Sequence, residues 1–146
     1  MDEEKFEHFC EVLLKWNKTH SLTSCKDRAC VLEYIKDSIE PIKYLHKASN
    51  ALDIGSGNGF PAIPLSIMMQ DTNFTLCESN TKKASFLNFV INELGLKNGK
   101  VINKRVEDLE GQFDLITSRA VGSVELLDNI SSHLYAPNYQ LLFYKG

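Results

Sequence analysis

At 146 residues, 43% apolar and 24% charged, the chain has the length and composition of one globular domain able to bury about 68–70% of its unfolded surface without a disulfide or metal staple. Its net charge of −3 argues against a protein that coats nucleic acid by bulk charge, while leaving room for a local basic face. The acidic start Met1–Lys5 lacks the apolar stretch of a signal peptide, and no apolar run reaches the ~18 residues of a membrane span.

In chain order, residues 3 to 17 carry Phe6, Phe9, Cys10, Leu13 and Leu14 at helical spacing, and residues 29 to 46 repeat this with Val31, Ile35, Ile39, Ile42 and Leu45. Ser24 and Asp27 are candidate N-caps for the second helix. Ala51–Ile54 is a short apolar run before a glycine-rich turn, the pattern of a buried strand. Residues 61 to 69 read as a short helix with Pro61 near its start. Phe74–Cys77 is a second strand. Residues 80 to 94 form a helix whose face holds Phe86, Leu87, Val90, Ile91 and Leu94, and Gly95 fits its stop. Lys100–Asn103 and Phe113–Thr117 are strands, residues 123 to 134 a helix, and Tyr139–Tyr144 a fifth strand.

This alternation predicts an α/β, Rossmann-like fold: a mostly parallel sheet with helices on both faces and a helical lead-in. We expect one domain, with residues 1–47 as a helical N-terminal extension and 48–146 as the core. Ligands of such sheets bind beyond the carboxyl ends of the strands, where strand order reverses. The cysteines, Cys10, Cys25, Cys30 and Cys77, include no C-x-x-C pair and no histidine at metal-ligand spacing. They are expected to be reduced thiols in a cytoplasmic protein without a metal site.

The most informative stretch is Leu52–Pro61, with Gly55, Gly57 and Gly59 between a strand and a helix. Glycines there allow a tight turn and close ligand approach. A dinucleotide fingerprint, G-x-G-x-x-G, requires glycine at 60, where this chain has Phe60. Asp53, two residues before the first glycine, would repel a pyrophosphate but suits a ligand bearing an ammonium and a sulfonium. S-adenosylmethionine is such a ligand, and a NAD(P)-dependent oxidoreductase is the weaker alternative. Glu78 closes the second strand, where a carboxylate can accept both hydroxyls of a ribose. Val106 and Glu107 follow the third strand, where main-chain groups could read an adenine edge. After the fourth strand, Thr117–Ala120 contains neither an Asn/Asp-Pro-Pro-aromatic clamp nor a Pro-Cys nucleophile. An acceptor that is already nucleophilic, such as guanine N7, fits that gap, because alignment can supply most of the acceleration.

Read together, these motifs resemble the bacterial 16S ribosomal RNA guanine-N7 methyltransferases, also called glucose-inhibited division protein B. The similarity runs through Trp16-Asn17 and Leu22–Ser24, Asp37-Ser38, Asp53–Pro61, Glu78-Ser79, Lys82-Lys83 with Phe86-Leu87, Arg105–Glu107, Ser118–Ala120 and Lys145-Gly146. It implies the class I S-adenosylmethionine-dependent methyltransferase fold and a cofactor site drawn from Gly55, Phe60, Val106, Glu107 and Arg119. The residue chemistry adds Asp53, Gly57 and Glu78. The Phe60 ring is expected along the cofactor, and Arg119 on the cofactor carboxylate or an RNA phosphate. The implied partner is 16S ribosomal RNA or the small ribosomal subunit. Lys82, Lys83, Lys97, Lys100 and Lys104, with Lys15 and Lys18, are candidate backbone contacts. The chain departs from the family in having Ala62 for glycine and Tyr34 for histidine. It also ends at Gly146, before the family's C-terminal antiparallel strand pair. A non-catalytic fragment that binds S-adenosylmethionine or RNA is therefore the second reading.

Overall fold

The computed structural model describes residues 2–119 and 122–144; the expectations on Ala120, Lys145 and Gly146 lie outside them. The lead-in is two helices, α1 (Asp2–His20) and α2 (Arg28–Ile39). Asp27 caps α2 by accepting from the Cys30 N–H at 2.9 Å, an interaction worth about 1 kcal/mol. The second helix stops seven residues short of the range read from the sequence, because Pro41 has no N–H to continue the ladder. The chain goes on as a 3-10 turn, Glu40–Tyr44.

The core alternates β1 (Asn50–Ile54), α3 (Ala62–Met68), β2 (Asn73–Cys77), α4 (Thr81–Leu94), β3 (Gly99–Ile102), β4 (Phe113–Arg119), α5 (Val124–Ser131) and β5 (Tyr135–Tyr144). Asn80 and Ser123 cap α4 and α5 through their side chains, and Gly95 ends α4 in the left-handed conformation. All pairings are parallel, in the order β3-β2-β1-β4-β5. Strand order therefore reverses between β1 and β4, and a ligand crevice is expected above those two strands.

Alternation along the strands sends side chains into two separate apolar clusters. On one face Ala51, Phe74, Leu76 and Leu115 pack with Phe9, Leu13, Val31, Ile35, Ile63 and Phe86. On the other, Leu52, Ile54, Cys77 and Ile116 pack with Val106, Leu109, Leu127 and Leu134. The lead-in helices thus share the core of the sheet they cover.

β5 starts four residues earlier than the sequence pattern indicates. Phe113 lies opposite Tyr135 and Leu115 opposite Gln140, so residues 136 to 139 bulge out of register. Pro137 sits in that bulge, where its missing N–H breaks no ladder bond. The cysteines require a correction. Cys25 and Cys30 are joined in a disulfide, their Cα atoms 5.5 Å apart. The Asp27 cap folds the chain back between them, a local geometry that a search for C-x-x-C spacing does not detect. Cys10 and Cys77 are free and buried. Burial, reinforced by nearby carboxylates, pushes each thiol up to about 11, so both stay protonated and unreactive at neutral pH.

Asn98, which the sequence does not single out, ties the lower end of the sheet together. Its side-chain amide donates to the carbonyls of Ser66, Met69 and Thr72 at 3.0, 3.1 and 3.0 Å. Asn98→Ala removes both N–H donors of that amide from the three carbonyls and should cost about 2 kcal/mol at about 1 kcal/mol per donor. In urea titrations the midpoint should fall with the slope unchanged.

Candidate functional site

Beyond the carboxyl end of β1 the chain turns through Gly55–Gly59 into α3. The Gly55 and Ser56 N–H groups donate to the Cys77 carbonyl at 2.9 and 3.3 Å. The Gly57 N–H donates to Glu78 Oε1 at 2.7 Å, and the Asn80 N–H to Glu78 Oε2 at 2.9 Å. The Glu78 carboxylate therefore clamps the glycine loop to the start of α4. Each of its oxygens has a further lone pair with which to accept a hydroxyl, so the ribose role read from the sequence is compatible with this clamp.

Two of the glycines are required for different reasons. Gly59 has φ +95°, and a Cβ there would stand 2.9 Å from Ile63 Cγ1 and 3.2 Å from Phe9 Cζ. It is needed so that α1 and α3 can pack under the loop. Gly57 has φ +49°, and its Cβ would meet nothing closer than the Gly55 carbonyl oxygen at 3.7 Å and Glu78 Oε1 at 4.0 Å. Packing alone does not demand glycine at 57; its open side is where a ligand can approach the main chain.

Asp53 stands below this loop at 1% exposure. It lies opposite Thr117 in the β1–β4 pairing, and Oδ1 accepts the Thr117 hydroxyl. Oδ2 is buried with no hydrogen-bond partner among the described residues. Burial pushes the carboxyl up to about 7; the Thr117 and Ser56 hydroxyls oppose this, Glu78 adds to it and Arg119 opposes it. A buried carboxylate oxygen without a donor costs free energy, and a cationic ligand group is the chemistry that would relieve it.

Arg119 closes β4. Its side chain is 13% exposed and pairs with Asp37 Oδ2 at 2.9 Å, with the Ser38 hydroxyl 3.4 Å away. The guanidinium lies 4.6 Å from the Tyr144 ring centroid and 5.9 Å from that of Tyr34, within range of cation–π attraction. Tyr144 in turn donates to the Ser38 carbonyl at 2.6 Å. Nε is buried without a partner among the described residues. Asp37, Ser38, Tyr34 and Tyr144 were not assigned to the site from residue chemistry. The Asp37-Ser38 motif was the one signal available, and its meaning depends on α2 reaching β4 across 82 residues.

Gly55, Val106 and Glu107 line one cavity. A cavity of about 290 Å³ opens above β1 to β3, lined by Ile54, Gly55, Ser79, Arg105, Val106 and Glu107 among others. Val106–Asp108 forms a 3-10 turn there, with Val106 buried and Glu107 exposed. The volume is near the lower end of small-molecule sites. A larger hollow, about 670 Å³, is lined by Glu3, Glu4, Glu7 and Glu11 on α1 together with Arg28 and Leu32; none of the residues expected at the site borders it.

Two placements differ from the sequence reading. The Phe60 ring stands in the core at 4% exposure, 5.4 Å from Phe9 and 5.5 Å from Tyr34 between ring centroids. The basic run from 82 to 105 does not form one face. α4 runs antiparallel to the strands, leaving Lys82, Lys83, Lys104 and Arg105 at their carboxyl ends. Lys97 and Lys100 border cavities at the opposite end, beside Asn73 and Asn98. Among the described residues no cluster of His, Cys, Asp and Glu could hold a metal ion, and no helix is long and apolar enough to cross a membrane.

Comparison with solved structures agrees with this architecture. Coclaurine N-methyltransferase matches with a TM-score of 0.66 over 93% of this chain and 42% of its own, at 15% identity. Precorrin-6y C5,15-methyltransferase from Geobacter metallireducens matches at 0.63 over 86% and 64%, also at 15% identity. These similarities establish the fold, that of the class I methyltransferases. Sequence comparison is more specific. The "Ribosomal RNA small subunit methyltransferase G" of Wolinella succinogenes is 40% identical over 144 residues, spanning 98% of this chain and 75% of that protein. The protein of the same name from Campylobacter hominis is 44% identical over 146 residues, spanning 98% and 78%. The family model for rRNA small subunit methyltransferase G matches residues 2–146, and the chain belongs to that family.

Proposed function

We propose that the chain transfers the methyl group of S-adenosylmethionine to N7 of one guanine in 16S ribosomal RNA, as the RNA itself or within the small ribosomal subunit. The observation that carries the cofactor assignment is the unpartnered Asp53 Oδ2 under an open glycine loop. A positively charged sulfur nucleoside relieves that oxygen, whereas a diphosphate would meet an anion. When bound, S-adenosylmethionine supplies its methyl as a sulfonium to the guanine N7 lone pair, the sulfur retaining the bonding electrons and no proton leaving the acceptor.

This chain's residues then have binding and orienting work. Asp53 faces the cofactor's cationic end, and Glu78 accepts from the ribose hydroxyls while holding the loop. Val106 and Glu107 border the adenine, and the remaining donors of Arg119 face the cofactor carboxylate. Gly55, Gly57 and the main chain at Phe60 shape the loop around it. No general base is required, because N7 carries a lone pair and no proton. Lys82, Lys83, Lys104 and Arg105 rim the same end of the sheet and give RNA phosphates a binding edge, so RNA affinity should fall steeply with salt.

Incubating the protein with methyl-labelled S-adenosylmethionine and undermethylated small-subunit RNA should give label in 7-methylguanosine on nucleoside digestion. Label in another nucleoside would reject the N7 assignment. S-adenosylmethionine should raise Tm while NADH should not.

Gly57→Ala should cost only about 1 kcal/mol of stability, the strain of a left-handed alanine, yet lower cofactor affinity by at least about tenfold by narrowing the approach. Calorimetry and denaturation on the same sample separate the two effects. Arg119→Lys removes the planar fork that spans Asp37 and the ligand, and should weaken cofactor binding about tenfold.

The raised Asp53 ionisation gives a pH signature. With its folded value near 7 above an unfolded value of about 3.9, this group stabilises the free protein at low pH and loses that contribution as pH rises from about 4 to 7. A cationic ligand selects the carboxylate, so cofactor affinity should level off above about pH 8 and fall by at least about tenfold between pH 7.5 and 5.5. Asp53→Asn should bind weakly with a flat profile over that interval; an unchanged slope would remove Asp53 from the site.

A further inference from the structure

The packing of α1 against α4 leaves a feature that the cofactor site does not use. The two helices run antiparallel: His8 Nε2 lies 3.3 Å from Glu93 Oε1 at one end, and Trp16 meets Phe86 and Phe89 towards the other. Trp16 is 5.5 Å from each of those rings and 5.1 Å from the His20 ring. Phe86 is fully buried beneath, but Phe89 is 42% exposed, His20 is exposed and Trp16 is half-buried. A tryptophan, a histidine and a phenylalanine thus stand side by side at the surface.

Charge is distributed unevenly around them. α1 keeps its carboxylates, Asp2, Glu3, Glu4, Glu7 and Glu11, in its first half, and Glu93 is the single carboxylate of α4. From Val12 to His20 and from Thr81 to Asn92 there is no acid, while Lys15, Lys18, Lys82 and Lys83 are all exposed. Helical periodicity puts Lys82 on the stripe of Phe86 and Phe89, and Lys15 on the stripe of His8 that faces α4. This basic end also adjoins the loop after β3. The Asn103 side-chain amide donates to the Glu78 and Ser79 carbonyls at 2.9 and 3.1 Å, and the Thr81 hydroxyl donates to Asn103 Oδ1 at 3.3 Å. The first turn of α4, with Lys82 and Lys83, therefore lies at the carboxyl ends of the strands, and Phe86, Phe89 and Trp16 follow it along the α1–α4 layer.

Exposed aromatic rings with lysines beside them, Glu93 and Glu11 standing one turn beyond Phe89 and Lys15, suit one chemistry: unpaired bases that stack on the rings while their phosphates meet the ammonium groups. We infer that Trp16, His20 and Phe89, flanked by Lys15 and Lys82, form a stacking platform for an unpaired base of the RNA that carries the target nucleotide. This rests on the RNA-methylating reading above. It assigns the lead-in helix a part in holding substrate, in addition to covering the sheet. A base anchored there holds the RNA equally in the ground and transition states, so its loss appears in KM.

Trp16 is the chain's one tryptophan and reports the contact directly. At low salt, oligoadenylate of about ten nucleotides should quench its fluorescence, whereas a ribose-phosphate chain of equal length without bases should bind without quenching. Phe89→Ala and His20→Ala should each weaken oligoadenylate binding about tenfold, leaving abasic-chain and S-adenosylmethionine affinity at wild-type values. Lys82→Ala should weaken both polymers. In methyl transfer to small-subunit RNA, the aromatic variants should raise KM with kcat unchanged. Equal quenching by the abasic chain, equal quenching by an RNA duplex, no quenching at all, or wild-type affinity in both aromatic variants would each overturn the platform. Transfer by the wild-type protein is scored on its own: labelled RNA with unaffected variants removes the platform and keeps the reaction, whereas absence of label removes the reaction itself.

Discussion

The position of β1 between β2 and β4 governs everything at the carboxyl end of the sheet. Because β2 and β4 both run parallel to it, the ends of three strands and the loops that follow them converge on one edge. Asp53 is carried opposite Thr117, and the Gly55–Gly59 loop is carried over the Cys77 carbonyl and the Glu78 carboxylate. That edge thus brings together a glycine loop, a buried carboxyl and the carboxylate that organises the loop. The switch in strand order makes room for a ligand, since neighbouring connections leave in opposite directions there.

The same edge shows how stability and function are divided among similar residues. Gly59 serves packing, because Phe9 and Ile63 occupy the space a side chain would need. Gly57 has no such packing demand, since a Cβ there would meet only the Gly55 carbonyl oxygen and Glu78 Oε1 among the described residues, at 3.7 and 4.0 Å. Thr117 satisfies half of the Asp53 carboxylate and leaves the other half without a donor. Arg119 is gripped by Asp37 and faced by two tyrosine rings, which holds its planar group in place and keeps Nε available. These arrangements exact a cost from the free protein that a cationic, carboxylate-bearing nucleoside is suited to offset.

The lead-in helices belong to this logic as well. Phe9 packs under the glycine loop, α2 reaches across to hold Arg119, and Trp16 joins the aromatic surface of α4. Removing them would uncover one face of the sheet and release the arginine together. The family similarity begins at residue 2 and so includes both lead-in helices.

From the sequence alone one could place every strand and every α-helix of the core, because apolar periodicity, caps and glycines act within a few residues. The glycine loop, Asp53, Glu78 and the Val106-Glu107 segment could be placed for the same reason: each lies within a few residues of a strand end, and the parallel fold brings those ends to one edge. Only the tertiary structure decided what lies far apart along the chain. It set Asp37 and Ser38 against Arg119, drew Phe60 into the core, separated Lys97 and Lys100 from Lys82 and Lys83, and put Trp16 beside Phe89. The Cys25–Cys30 bridge was missed at short range, since it depends on the backbone direction set by the Asp27 cap. Local patterns carry the direction of a side chain about its own element; which element it meets is determined by how helices pack on the sheet, and no window of neighbouring residues contains that information.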